Sequence, residues 1–183
     1  MILSSILKTL RKLLTLFEQK NIDYMLIGGY ALPHYGRIRA TIDIDLAAAI
    51  KSTRELNDLY ADLDRIKFDV PTGKSIKTPV ILVRDREENI EVELWLKPDG
   101  VVFNKETLKR RIKVALGPDI IAWIISAEDF IVNKLSRPDR GAQDEEDVKS
   151  VLELQKGKLD MEYLIKRARA TDVLDLLSMI MKR

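Results

Sequence analysis

Leu3, Ile6, Leu7, Leu10, Leu13, Leu14 and Phe17 recur at helical spacing, with Lys8, Arg11, Lys12 and Glu18 among them. That stripe predicts an amphipathic helix of the folded domain. Asn21-Ile22-Asp23 interrupts it, and the short apolar run Tyr24–Ile27 predicts a buried strand. Tyr30–Tyr35 predicts a short helix, with Pro33 in its first turn, where a missing N–H costs little. Thr41–Ala49 predicts a second strand. Ser52 or Thr53 caps a helix running to about Ile66, with Leu56, Leu59, Tyr60 and Leu63 among its apolar positions. Residues 67–79 contain Pro71, Gly73 and Pro79 and read as loop. Val80–Val83 predicts a strand and Arg84–Asn89 a charged hairpin turn. Ile90–Leu96 alternates strictly and gives the clearest strand signal of the chain.

From Asn104 the spacing is helical, with room for a short strand at Ile120–Ile124. Ser126-Ala-Glu-Asp129 has the form of a capping box and opens a helix to Leu135. Arg137-Pro-Asp-Arg-Gly141 breaks it, and helices follow over Asp144–Leu154, Asp160–Ala168 and Asp172–Met181. The layout predicts an α+β fold, a small mixed sheet flanked by helices. Residues 1–124 form its core, and a helical region, 125–183, packs on that core.

Residues 28–46 change the picture from architecture to chemistry. They join a double glycine, Arg37-x-Arg39-x-Thr41, and two aspartates one residue apart within an apolar run. Glycines between a strand and a helix let backbone N–H groups approach an anion with no Cβ in the way. Asp43 and Asp45 alternate with Ile42, Ile44 and Leu46, so on a strand both carboxylates share one face and the aliphatics pack the other. Two adjacent carboxylates repel unless a cation lies between them, which points to a divalent metal with oxygen ligands acting on phosphate.

Composition narrows the choice. The chain has 183 residues, no cysteine and one histidine, His34. Thiolate and His-cluster metal sites and Ser-His-Asp hydrolysis are therefore disfavoured, and the hard-cation reading gains. Net charge is only +2, so any nucleic-acid contact must come from a local patch. No apolar run reaches the ~18–20 residues of a membrane span. The N-terminal segment lacks a small-residue cleavage site, and a cytoplasmic location is expected. His34 reads as a packing or surface residue, and Trp95, Trp123, Phe103 and Phe130, set in apolar patterns, read as core.

The segment GGYALPHYGRIRATIDIDL resembles the signature of the nucleotidyltransferase superfamily, the DNA polymerase β-like fold. An apolar strand, Gly-Gly, a spacer (here 13 residues between Gly29 and Asp43) and Asp-x-Asp with apolar flanks carry the likeness. It is most similar to the AbiEii-like small prokaryotic nucleotidyltransferases. The resemblance implies that Gly28 and Gly29 hold nucleotide phosphates, that Asp43 and Asp45 bind Mg²⁺ or Mn²⁺, and that Arg39 and Thr41 lie beside the triphosphate. It also implies a third acid on Ile90–Leu96. Glu91 and Glu93 share a face there, and Glu93 is preferred because apolar residues follow it.

A second constellation, Lys134, Arg140, Asp144 and Asp147, is similar to a stretch that follows the sheet in AbiEii-like proteins. Lys134 supplies point charge for phosphates or the acceptor. The acids equally suit a helix N-terminus, and Arg140 either joins Lys134 or pairs with Asp144. The implied activity is metal-dependent transfer of an NMP from an NTP to a hydroxyl or phosphate. Acceptors in view are RNA or tRNA, a protein side chain, or a small molecule. The toxin of a toxin–antitoxin pair, with an antitoxin-type protein partner, is one setting. The alternatives are a non-catalytic nucleotide- or partner-binding protein on the same fold and a metal-dependent phosphodiesterase.

Overall fold

The computed structural model describes residues 2–41, 43–73 and 75–182. Helix α1 (Ile2–Gln19) leads into β1 (Tyr24–Leu26), and the short α2 (Gly28–Ala31) and a 3₁₀ turn (Leu32–His34) follow. Strand β2 (Ile44–Ala48) and helix α3 (Thr53–Arg65) come next, then β3 (Phe68–Asp69), β4 (Val80–Asp85) and β5 (Ile90–Trp95). After α4 (Lys105–Arg110) and the hairpin β6 (Ile112–Gly117) and β7 (Ile120–Ile124), only helices remain. These are α5 (Ala127–Ser136), α6 (Ala142–Leu154), α7 (Met161–Ala170) and α8 (Leu174–Met181).

The strands form one mixed sheet in the order β3-β4-β5-β2-β1-β7-β6. Its centre positions the candidate site. β1 and β2 run antiparallel, while β2 pairs in parallel with β5, and β1 with β7. Central strands carry nearly continuous apolar residues because both faces are covered: Tyr24, Met25 and Leu26 are all buried, as are Ile44, Leu46, Ala47 and Ala48. From Ile6 onward the stripe predicted on α1 is the face it turns to the core, with Leu10, Leu13 and Phe17 fully inside, while Leu3 is exposed. Ser52 caps α3 by accepting from the Glu55 N–H, and Ser126 caps α5 by accepting from Asp129. The mixed α/β class and the chief elements follow the sequence pattern.

Two strands do not. β3 lies in the segment read as loop, and β6 in the segment read as helical. β6 is an edge strand, paired on one side only, and its side chains are exposed or half-buried. An edge strand of this kind has no buried face to impose strict alternation.

Candidate active site

Asp45 and Glu93 sit opposite each other in the parallel β2–β5 register. Ile44 and Leu46 point the other way into the core, as do Val92 and Leu94. The alternation that predicted a shared carboxylate face therefore holds where β2 is formed; Ile42 lies outside the described residues. Asp43 precedes β2 and is exposed. Its charge, second to burial, raises the Tyr30 phenol pKa, which places Asp43 on the α2 side of the site. Glu91 is exposed, whereas Glu93 is half-buried.

The Asp45 carboxyl is pushed up to about 6, first by burial and then by the charge and hydrogen bonding of Glu93. The Trp95 indole N–H, 3.3 Å from Asp45 Oδ1, and the charge of Lys134 act in the opposite direction. Two hard-oxygen groups that repel each other in a half-buried setting suit a divalent cation, which would relieve the cost of ionising both. Among the described residues no three His, Asp or Glu side chains stand together as a ready metal-ligand group. The preformed element is the Asp45–Glu93 pair.

Gly28 caps this pair from the adjoining turn. Its φ is +62°, a conformation L side chains rarely adopt, and a Cβ there would overlap the Asp45 carboxylate. A Cβ on Gly29 would press into the Thr41 side chain. The Ile27 N–H donates to the Asp45 carbonyl at 3.0 Å and fixes the turn on β2. The double glycine thus lets the chain cross directly over Asp45 and Thr41.

Helix α5 faces the turn across a narrow cleft of about 20 Å³. Ile27, Gly28 and Asp45 line one side, with Trp95; Asn133, Lys134 and Arg137 reach it from α5 and its end. Lys134 is almost fully buried, and its ammonium lies 2.8 Å from Asp144 Oδ1 and 3.6 Å from Asp147 Oδ2. Burial alone would raise the Asp144 carboxyl, but hydrogen bonds from Lys134 and the Gly141 N–H bring it below the ordinary range. Asp144 therefore opens α6 as its position in the sequence suggests, accepting from Gly141, while its ion-pair partner is Lys134 and not Arg140.

Asp147 has no solvent exposure and accepts from Arg37 Nε at 3.0 Å and Arg39 Nη2 at 3.2 Å. Arg39 is thereby tied to α6, and the Arg37–Thr41 segment is held beside the site. Arg140 does not pair with Asp144; its guanidinium donates to the Leu135 carbonyl at 2.7 Å. His34 is exposed. Trp95 packs against the core, as its apolar setting suggests, but is only half-buried and also donates to Asp45. Its only signal was its period-two spacing from Glu93 and Glu91, which places all three on one face. The sequence marks Arg137 only as part of a helix break.

Residues 6–183 match the family described as "nucleotidyl transferase of unknown function (DUF2204)". The chain belongs to this family. A comparison with curated proteins finds no match. Among solved structures, the lincosamide antibiotic adenylyltransferase LnuA, lincomycin-bound, is similar at a TM-score of 0.51 and 18% identity, over 80% of this chain and 96% of that one. ANT(2″)-Ia in complex with adenylyl-2″-tobramycin gives 0.52 and 16%, covering 90% and 95%. An antigenic nucleotidyltransferase-like protein from Paracoccidioides brasiliensis gives 0.52 and 19%, covering 96% and 92%. These likenesses place the fold with the nucleotidyltransferases.

Proposed function

We propose that this nucleotidyl transferase moves a nucleoside monophosphate from an NTP to an acceptor hydroxyl, or to a phosphate, with release of pyrophosphate. The observation that carries the reading is the Asp45–Glu93 pair lying directly under the side-chain-free turn at Gly28. Asp43, Asp45 and Glu93 are the residues assigned to Mg²⁺ or Mn²⁺, with Asp43 joining the preformed pair from the exposed approach to β2. A divalent ion held there supplies charge neutralisation for the triphosphate and lowers the pKa of an acceptor hydroxyl. The chain's own groups do the positioning. Gly28 and Gly29 donate backbone N–H groups to phosphate, Arg39 and Thr41 border the triphosphate, and Lys134 supplies positive charge from α5.

The acceptor is best read as a hydroxylated small molecule. The names of two structural neighbours, a lincosamide antibiotic adenylyltransferase and ANT(2″)-Ia with adenylyl-2″-tobramycin, support that class. The AbiEii-like resemblance supports RNA instead, tRNA included, and with it a toxin role, an antitoxin partner and a cytoplasmic setting. Incubation with each α-³²P-labelled NTP and Mg²⁺, together with total RNA, cell protein or a panel of hydroxylated metabolites and antibiotics, separates these acceptors. Label should enter one class and be abolished by EDTA. Nucleotide binding without transfer to any acceptor would favour a non-catalytic binding protein on this fold.

A further inference from the structure

The cleft carries two cations from the end of α5, and they are held very differently. Lys134 is enclosed by two buried carboxylates, its side chain 4% exposed. Arg137, three residues on, is one-third exposed, and its close partner is Asp139, whose own side chain is 69% exposed. Arg137 Nε donates to Asp139 Oδ1 at 3.2 Å and Nη2 to Oδ2 at 3.1 Å. The nearest alternative carboxylate, Asp144, is 3.9 Å away.

Local sequence explains this placement. Pro138 disfavours the helical conformation in the residue before it, and Arg137 has φ −63° and ψ 130°. The backbone turns out of α5 there, and Arg137 still lines the cleft together with Gly28, Asp45 and Trp95. A solvated ion pair of this type contributes only about 0–1 kcal/mol, so little opposes its exchange. The planar fork that binds the Asp139 carboxylate bidentately matches two phosphate oxygens equally well.

We propose that Asp139 is a built-in competitor for the polyphosphate. Arg137 rests on Asp139 in the free protein and passes to the NTP polyphosphate on binding, so that Arg137 raises affinity and Asp139 lowers it. This rests on the nucleotidyltransferase reading of the same cleft, and it assigns the second phosphate-binding cation to Arg137, not Arg140.

The test uses Mg²⁺-tripolyphosphate, a probe independent of the base, titrated calorimetrically into the full chain. Arg137→Ala should weaken binding about tenfold or more, the range for one charge-assisted hydrogen bond, and Arg137→Lys by less. Asp139→Asn should tighten binding, which a merely structural residue in this loop would not do. Arg140→Ala, judged on folded protein by circular dichroism, should leave affinity unchanged. Wild-type binding that is unaltered in both Arg137→Ala and Asp139→Asn would overturn the exchange and leave the active-site reading standing. Absence of wild-type binding to both tripolyphosphate and the four Mg²⁺-NTPs would overturn both.

Discussion

Glu91 and Glu93 share one face of one strand and differ in what lies next to them. Glu93 is opposite Asp45, and Glu91 is exposed. Glu93→Gln should therefore reduce the chemical step by several orders of magnitude while NTP still binds, lowering kcat and kcat/KM together. Glu91→Gln should stay within about 0.5 kcal/mol of wild type in stability and keep its activity. Single-turnover kinetics of the two variants decides the point, and the reverse pattern would move the third acid by two residues. Asp45 yields a separate expectation. A carboxyl raised from 3.8 to about 6 favours the protonated folded state, so the stability it contributes is present at low pH and is lost as pH rises across that interval. Asp45→Asn should hold or raise Tm at neutral pH in EDTA while abolishing transfer. That Asp45 and Glu93 point away from the core was legible because period-two alternation fixes the faces of each strand. Their register across β2 and β5 was not, and Asp43 precedes the strand on which alternation puts it beside Asp45. The indole bond from Trp95 was not legible either, because apolar patterning says nothing of where a half-buried ring aims its N–H.

At the scale of elements, the hairpin between β4 and β5 shows how one buried acid can tie a strand pair to a helix. Asp85 has no solvent exposure and accepts from Thr9 Oγ1 and Lys12 Nζ of α1, both at 2.9 Å. It also accepts from the Glu87 N–H at 3.0 Å inside its own turn. Burial pushes its pKa up, but the Lys12 bond and these further donors bring it below the ordinary carboxyl value of 3.8. A depressed folded pKa gives stability that is present above the unfolded value and lost as pH falls through the folded one. Asp85→Asn should cost about 2 kcal/mol at pH 7, the scale of a buried charged hydrogen bond. The gap to wild type should close in urea titrations carried below about pH 4. A constant gap across that range would show that the charge of Asp85 is not what matters. The charged turn Arg84–Asn89 was readable from sequence, but its attachment to α1 was not, since Thr9 and Asp85 are far apart in the chain and nothing local links them.

For the whole molecule, the question is whether the helices after the sheet form a separate unit. Their side chains reach into the sheet-bearing part at several independent points. Asp147 of α6 binds Arg37 and Arg39, and Gln155 donates to the Tyr35 carbonyl at 2.8 Å. In α7, Lys166 pairs with Glu106, and Arg167 donates to the Gly100 carbonyl while holding the buried Asp129. Phe130, Ile131 and Leu135 of α5 are fully enclosed in the same core as Leu26, Ile44 and Ile124. Removing the helices would strip the Arg37–Thr41 segment of its anchor and open the apolar flank of β1 and β7 to water, at about 25 cal/mol for each Å² exposed. A chain ending at residue 124 should therefore lack a cooperative urea transition and bind no Mg²⁺-NTP, whereas the full chain should unfold in one step. Adding a separate peptide of residues 125–183 should restore the transition only if the two pieces reassociate. A sharp, two-state unfolding curve for residues 1–124 alone would mean that the sheet carries its own stability and that the α6 contacts serve only to set the position of the Arg37–Thr41 segment.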